Sequence, residues 1–126
     1  MASQRLRILI VEDEMLVAMN IEDMLLDLGH EVAGLASRLE PALSLAREAE
    51  FDLAMLDVNL AGQSSFPVAE ILDERGIPFL FATGYGIKGI IEEFRSCVVL
   101  QKPFRPGDLA QAIEAAQGAC GRGEVG

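Results

Sequence analysis

Short apolar runs alternate with helical patterns along the chain, and this alternation restricts the fold more than any other feature. Buried strands are predicted at Leu6–Val11, His30–Ala36, Leu53–Asp57, Phe79–Ala82 and Val98–Leu100. A helical pattern with one apolar face follows each run. Five strands that alternate with five helices predict an α/β domain, in which a doubly wound parallel sheet is covered on both faces.

Local signals mark several helix ends. Gly29 and Gly76 stand where a left-handed residue would end the first and third helices. Pro67 suits the first turn of the third helix, and Ser37 and Glu40 form a capping-box pair ahead of the second. Before the fifth strand, glycines dilute the helical pattern, so we expect a short and mobile helix there.

The 126 residues fit one domain. Residues 1–5 are predicted to form an arm, 6–117 the folded domain and 118–126, with four glycines, a flexible tail. The net charge of -10 disfavours nucleic acid and anionic membranes as partners. No apolar run approaches the roughly 20 residues of a membrane span, and no signal-peptide pattern precedes the first strand. We therefore expect a cytoplasmic protein.

Polar residues follow the predicted strands, at the sheet edge where ligands bind in such folds. They are Glu12 and Asp13 after the first strand, Asp57 at the end of the third, Thr83 after the fourth and Lys102 after the fifth. Each has a purely structural alternative, because carboxylates and hydroxyls also cap helices and turns, and lysines are common on surfaces.

Together these residues indicate phosphoryl chemistry. The first and third strands are expected to be neighbours, so three carboxylates converge, and at ~6 Å and an effective dielectric constant of ~20 each pair repels by about 3 kcal/mol. A hard cation such as Mg²⁺ offsets that repulsion. The metal, Lys102 and the Thr83 hydroxyl would then bind a phosphoryl group, and Asp57 is placed to carry it as a nucleophile.

These motifs resemble the receiver domain of bacterial two-component response regulators, from Leu6 to about Gln117. The matching segments are Ile10-Val11-Glu12-Asp13-Glu14, Leu56-Asp57-Val58-Asn59-Leu60, Thr83 and Lys102-Pro103-Phe104. They occur in family order and near family spacing. The resemblance implies a flavodoxin-like (βα)5 sheet with strand order 2-1-3-4-5, in a receiver of the single-domain type.

The resemblance also implies roles for individual residues. Asp57 would be the phosphoacceptor. Asp13 and Asp57 would bind Mg²⁺ directly, Asn59 would bind it through its backbone carbonyl, and Glu12 would act through water. Thr83 and Lys102 would contact the phosphoryl group, and the Lys102–Pro103 bond would be cis. No organic cofactor is expected. The domain would catalyse only its own phosphorylation and dephosphorylation, with a sensor histidine kinase as phosphodonor and a downstream protein as target.

One position departs from the common pattern. Most receivers carry an aromatic switch residue three positions before the lysine, where this chain has Val99. The segment Phe81-Ala82-Thr83-Gly84-Tyr85 is similar to the FATGUY subgroup, which lacks that aromatic and pairs with kinases of the HWE type. We hypothesise that Tyr85 and its glycine-rich loop replace the switch as Thr83 is drawn inward. The alternative is that Tyr85 only packs on the surface.

Other functions compete with this interpretation. The pattern Gly84-x-Gly86-x-x-Gly89 matches a dinucleotide fingerprint, but it follows the fourth strand and lacks the later acidic residue. A phosphatase or phosphotransferase would need an acid two residues after Asp57, where Asn59 stands. A phosphate sink, a relay intermediate and a phosphorylation-independent interaction module also remain as alternatives.

Overall fold

A computed structural model describes residues 5–84 and 97–119 of the chain. The elements are β1 (Arg7–Val11), α1 (Met15–Asp27), β2 (Glu31–Ala36), α2 (Leu39–Glu48), β3 (Leu53–Asp57), β4 (Asn59–Leu60), β5 (Gln63–Ser64), α3 (Phe66–Arg75), β6 (Phe79–Thr83), β7 (Val98–Gln101) and α4 (Pro106–Ala119). Within the described ranges, no helix is long and apolar enough to cross a membrane.

The five longer strands form one parallel sheet in the order β2-β1-β3-β6-β7. Counted along the chain without the short β4 and β5, this is the predicted order 2-1-3-4-5, which is therefore confirmed. The helix predicted between the fourth and fifth strands falls within residues 85–96, which lie outside the described part of the chain, as does Tyr85.

Alternating side chains of each strand enter two apolar cores, one on each face of the sheet. In β1, Leu9 and Val11 join the core that α2 and α3 cover, whereas Ile8 and Ile10 join the core that α1 and α4 cover. These four side chains are at most 1% exposed. Burying each of them stabilises the fold by about 1.5–3 kcal/mol. The two-sided burial explains why β1 is an almost continuous apolar run.

Most of the predicted helix ends agree with the structure, and one does not. Gly76 ends α3 with a φ of 73°, and Pro67 lies in the first turn of that helix. The capping box of α2 is wrong, because the extended Arg38 is the N-cap and makes no side-chain capping hydrogen bond. Ser37 therefore lies one residue too early for the cap, and Glu40 is at the second helical position rather than the third.

A small antiparallel hairpin follows β3 directly and was not predicted. Strands β4 and β5 pair Asn59 with Ser64 and Leu60 with Gln63. The two-residue loop between them, Ala61–Gly62, has φ values of 52° and 91°. Positive φ at both loop positions is typical of a type I′ hairpin turn. We call residues 59–64 the acidic-site hairpin, because its position after Asp57 places it at the edge of the acidic cluster.

Candidate functional site

The sheet register brings the three acidic residues together at its carboxyl edge. Strands β1 and β3 run in parallel with Val11 opposite Leu56, so the residues that follow each strand emerge side by side. Glu12, Asp13 and Asp57 each offer a carboxylate oxygen, and these three oxygens lie within 4.8 Å of one another. The convergence expected from the sequence is confirmed, and the oxygens are closer than the ~6 Å used above to estimate their repulsion.

Lys102 lies inside this cluster. Its Nζ is 2.7 Å from Glu12 Oε1 and 3.3 Å from Asp57 Oδ2. The backbone N–H of Lys102 donates to the carbonyl of Thr83 at 2.9 Å, which fixes the start of the β7–α4 connection to the end of β6. The Lys102–Pro103 peptide bond is cis, as the resemblance implies. One ammonium group therefore offsets part of the negative charge of the buried Glu12 and the partly buried Asp57.

The burial of these groups changes their protonation. The side chain of Glu12 is 1% exposed, and this burial raises its pKa to about 7, against the opposing hydrogen bond from Lys102. Burial also raises the pKa of Asp57, whereas the charge of Lys102 and the N–H of Asn59 lower it. Burial lowers the pKa of Lys102, but the hydrogen bond to Glu12 and the charge of Asp57 raise it by more, so the net shift of the pKa is upward. Burial therefore opposes the ionised form of both Glu12 and Asp57.

Backbone N–H groups of the acidic-site hairpin bind the side chains around it. Ala61 donates to Asp13 Oδ2 at 3.0 Å, and Asn59 donates to Asp57 Oδ1 at 3.4 Å. Gly62 in turn donates to Asn59 Oδ1 at 2.7 Å. The hairpin therefore contacts both aspartates. The sequence analysis missed the contribution of Ala61 and Gly62, and its only signal was an Ala-Gly pair between Leu60 and Gln63.

An open cleft of about 470 Å³ lies above the cluster. Its lining includes Asp13, Asp57, Asn59 and Lys102, together with Gly84 at the end of β6. Glu12 lies below this surface, since its side chain is almost fully buried. The two aspartates therefore face the cleft, whereas Glu12 lies beneath its surface.

The donor set of this cleft fits Mg²⁺. Magnesium takes oxygen ligands at about 2.0–2.1 Å in an octahedron, which separates neighbouring ligand atoms by about 3 Å and opposite ones by about 4.2 Å. Three carboxylate oxygens within 4.8 Å of one another need only small movements to reach that spacing. Asp13 and Asp57 would hold the ion with the exposed Asn59 backbone, and retained waters would reach Glu12.

The remaining site residues lie at the ends of β6 and on β7. Thr83 is fully buried and pairs with Gln101 of β7. Val99 is half-buried and lies opposite Phe81 in the same strand pair. The structure therefore places Thr83 one residue before Gly84 of the cleft, and it places Val99 further back along the sheet.

This arrangement agrees with a known family. Residues 8–114 match the model described as the response regulator receiver domain. The chain belongs to this family. Among its relatives is PdtaR, a transcriptional regulatory protein of Mycobacterium tuberculosis, whose sequence is 34% identical to this chain over 114 residues. That match covers 87% of this chain and 56% of PdtaR, and the chain spans about half the length of the curated relatives it matches.

Solved receiver structures share the fold. The solution structure of SdrG from Sphingomonas melonis Fr1 has a TM-score of 0.82 and 44% sequence identity, and the match covers 90% of this chain and 98% of that chain. A solution structure of the BeF3-activated conformation of SdrG from Pseudomonas melonis Fr1 has a TM-score of 0.76 and 44% identity, covering 88% of this chain and 95% of that one. The flavodoxin-like receiver fold is thus confirmed.

Proposed function

We propose that this receiver domain accepts a phosphoryl group on Asp57 from the phosphohistidine of a sensor kinase, with Mg²⁺ in the acidic cleft, and signals by changing its affinity for another protein. The observation that carries the proposal is the position of Asp57. Its carboxylate faces an open cleft, with the Lys102 ammonium group 3.3 Å from Oδ2 and a second aspartate beside it.

The chemistry follows from these contacts. An Asp57 carboxylate oxygen attacks phosphorus, the new O–P bond forms as the P–N bond of phosphohistidine breaks, and the departing imidazole takes up a proton. The charge of Lys102 favours the ionised form of Asp57 against burial, and Lys102 then pairs with the phosphoryl oxygens. The family resemblance assigns a hydrogen bond to the same group from Thr83, which directly precedes Gly84 of the cleft. When bound, Mg²⁺ would neutralise the remaining oxygen charge. The reaction ends on the domain's own side chain, so the domain catalyses only its own phosphorylation and dephosphorylation.

The surface beside the cleft supports a protein as phosphodonor. Among the described residues, the exposed large apolar side chains all lie on α1, and they are Met15, Leu16, Met19 and Leu26. Leu16 is 82% exposed. Helix α1 begins directly after Glu14, which lines the cleft. Exposed apolar side chains concentrated on one helix are typical of an interaction surface, so we propose that the kinase docks on α1 and presents its histidine to Asp57.

The kinase type and the output are proposed from the sequence. The likeness of residues 81–85 to the FATGUY subgroup favours a kinase of the HWE type. Because Val99 replaces the usual aromatic residue, we propose that Thr83 and Tyr85 transmit the phosphorylated state. SdrG, which is 44% identical, has a solved BeF3-activated conformation, and this favours a switch driven by a phosphoryl-like group here. We further propose that the receiver is cytoplasmic.

Intact mass spectrometry tests the phosphoacceptor. Incubation with acetyl phosphate and Mg²⁺ should add the mass of one phosphoryl group, and hydroxylamine should remove it, because acyl phosphates are cleaved by that nucleophile. Asp57→Ala should abolish the addition. Asp23→Ala, which removes an exposed aspartate of α1, should leave it unchanged. Any phosphoryl adduct on Asp57→Ala, whether or not hydroxylamine removes it, would place the phosphoryl group on another residue and refute the assignment.

A pull-down experiment separates the alternative outputs. Pull-down with and without phosphorylation should recover a protein other than the kinase only from one of the two states, whereas a phosphate sink or relay intermediate would recover the phosphotransfer partners alone. Equal recovery from both states would indicate a phosphorylation-independent interaction module.

Amide exchange over residues 84–94, with and without BeF3, tests the proposed switch, and unchanged protection would refute it.

A further inference from the structure

The acidic-site hairpin has a turn that its own sequence does not favour. Ala61 has a φ of 52°, in the left-handed region that L-residues with a Cβ adopt only at a cost in free energy. Asn-Gly and Asp-Gly are the pairs that most often fill such a turn, and this chain has Ala-Gly. Contacts elsewhere must therefore hold the turn in place.

Those contacts come from the acidic cluster and its neighbour. The N–H of Ala61 donates to Asp13 Oδ2 at 3.0 Å, and the N–H of Gly62 donates to Asn59 Oδ1 at 2.7 Å. Both donors belong to the turn residues with positive φ. The conformation of the turn is thus coupled to the orientation of the Asp13 carboxylate and of the Asn59 side chain.

We propose that the Asn59 side chain and the Ala61–Gly62 turn are positioning groups for the divalent cation, a role that rests on the proposed function. The Ala61 N–H binds one oxygen of the Asp13 carboxylate and so fixes its rotation before an ion arrives. The Asn59 side chain closes the hairpin and so fixes the backbone of the residue whose carbonyl would face the ion. Groups that orient a metal ligand through hydrogen bonds raise metal affinity.

This role differs from the one that the family resemblance implies. A residue that offers only a backbone carbonyl tolerates truncation of its side chain. If Asn59 also closes the hairpin, its truncation weakens cation binding although the carbonyl is retained. By linkage, the cation must also stabilise the hairpin, because coupling between two equilibria is reciprocal.

Isothermal titration calorimetry with MgCl₂ on the whole chain tests the proposal. Asn59→Ala and Gly62→Ala should each weaken Mg²⁺ binding, on the order of 10-fold, the usual effect of removing an orienting partner. Ala61→Gly retains the N–H and removes the backbone cost, so it should bind at least as tightly as wild type. Gln63→Ala, an exposed position in β5 of the same hairpin, is the matched control and should leave the affinity unchanged.

A second readout reports on the hairpin itself. In ¹⁵N–¹H spectra, the amide signals of Ala61 and Gly62 should shift during the Mg²⁺ titration of the wild type and gain protection from exchange. Circular dichroism without Mg²⁺ identifies any variant that fails to fold, and Gly62→Ala provides the test if Asn59→Ala is unfolded.

The outcomes separate this proposal from the one on which it rests. Wild-type affinity in both Asn59→Ala and Gly62→Ala, or weaker binding by Ala61→Gly, would overturn the positioning role and leave the phosphoacceptor proposal intact. If wild type itself binds no Mg²⁺, both the positioning role and the metal part of the proposed function are wrong, and the acetyl phosphate experiment then decides whether Asp57 accepts a phosphoryl group at all.

Discussion

Replacing Glu12 by glutamine should change how stability depends on pH. The folded state holds the pKa of Glu12 at about 7, compared with 4.5 for the unperturbed group, and burial is the main cause. A carboxyl group with a raised folded-state pKa stabilises the fold below pH 4.5, and this stabilisation is lost as pH rises through 7. The shift corresponds to about 3 kcal/mol at high pH. Glutamine resembles the protonated acid, so Glu12→Gln should match wild type at pH 4 and be up to about 3 kcal/mol more stable at pH 8.5.

Urea unfolding followed by far-ultraviolet circular dichroism measures this difference, because the chain contains no tryptophan. The buffers should contain a chelator, since a bound cation would favour the ionised form of Glu12. Glu14→Gln, at an exposed neighbouring position, is the control and should follow wild type at both pH values. A difference between Glu12→Gln and wild type that does not change with pH would refute the argument. A variant less stable than wild type at pH 8.5 would show that the 2.7 Å bond from Lys102 to Glu12 outweighs the cost of burial.

Three further predictions concern the metal, a buried histidine and a helix end. Mg²⁺ should raise the melting temperature at neutral pH, and Asp13→Asn should reduce that rise; equal rises in the two proteins would exclude Asp13 as a ligand. Burial lowers the pKa of His30, whose Nδ1 accepts a hydrogen bond from the Leu6 N–H. The stability that neutral His30 supports should therefore be lost as pH falls below 6.5. In urea unfolding at pH 5 and pH 7.5, His30→Gln should not show this loss. Gly76→Ala should destabilise the fold by about 1 kcal/mol, because the left-handed φ of 73° is strained for alanine although its Cβ meets no atom within 4 Å; unchanged urea midpoints would contradict this.

The sheet could be predicted because its strands are buried on both faces. Successive residues of β1 and β3 pack into the cores on opposite faces of the sheet, so nearly all of them must be apolar. A continuous apolar run in the sequence therefore indicates a buried strand. The site followed from the same fact, since a charged residue directly after such a run, such as Asp57, has to lie at the edge of the sheet. No tertiary information was needed to place Glu12, Asp13 and Asp57 on one edge.

Features that depend on a single backbone angle or on a choice between partners could not be predicted in this way. Nothing in an alanine indicates that Ala61 adopts a positive φ, and two-residue strands are too short to show a period. The start of α2 was misplaced because Ser37 is a better intrinsic cap than Arg38, and the fold overrode that preference. The sequence also predicted that Lys102 lies near the acidic residues, but it did not show that the nearer of its two carboxylate partners is Glu12, at 2.7 Å.

Glu12 and His30, two of the groups with shifted pKa values, lie at opposite ends of β1, and their effects on stability oppose each other. His30 accepts a hydrogen bond from the residue before the strand, and Glu12 follows its last residue. At about 3.3 Å per residue, the six steps along the chain from Leu6 to Glu12 separate the two groups by roughly 20 Å, so their contributions should add independently. As pH rises from 5 to 7, stability is gained at His30 and lost at Glu12. A flat pH profile of the wild type is therefore compatible with a strongly destabilising carboxylate in the site, and only the single variants separate the two contributions.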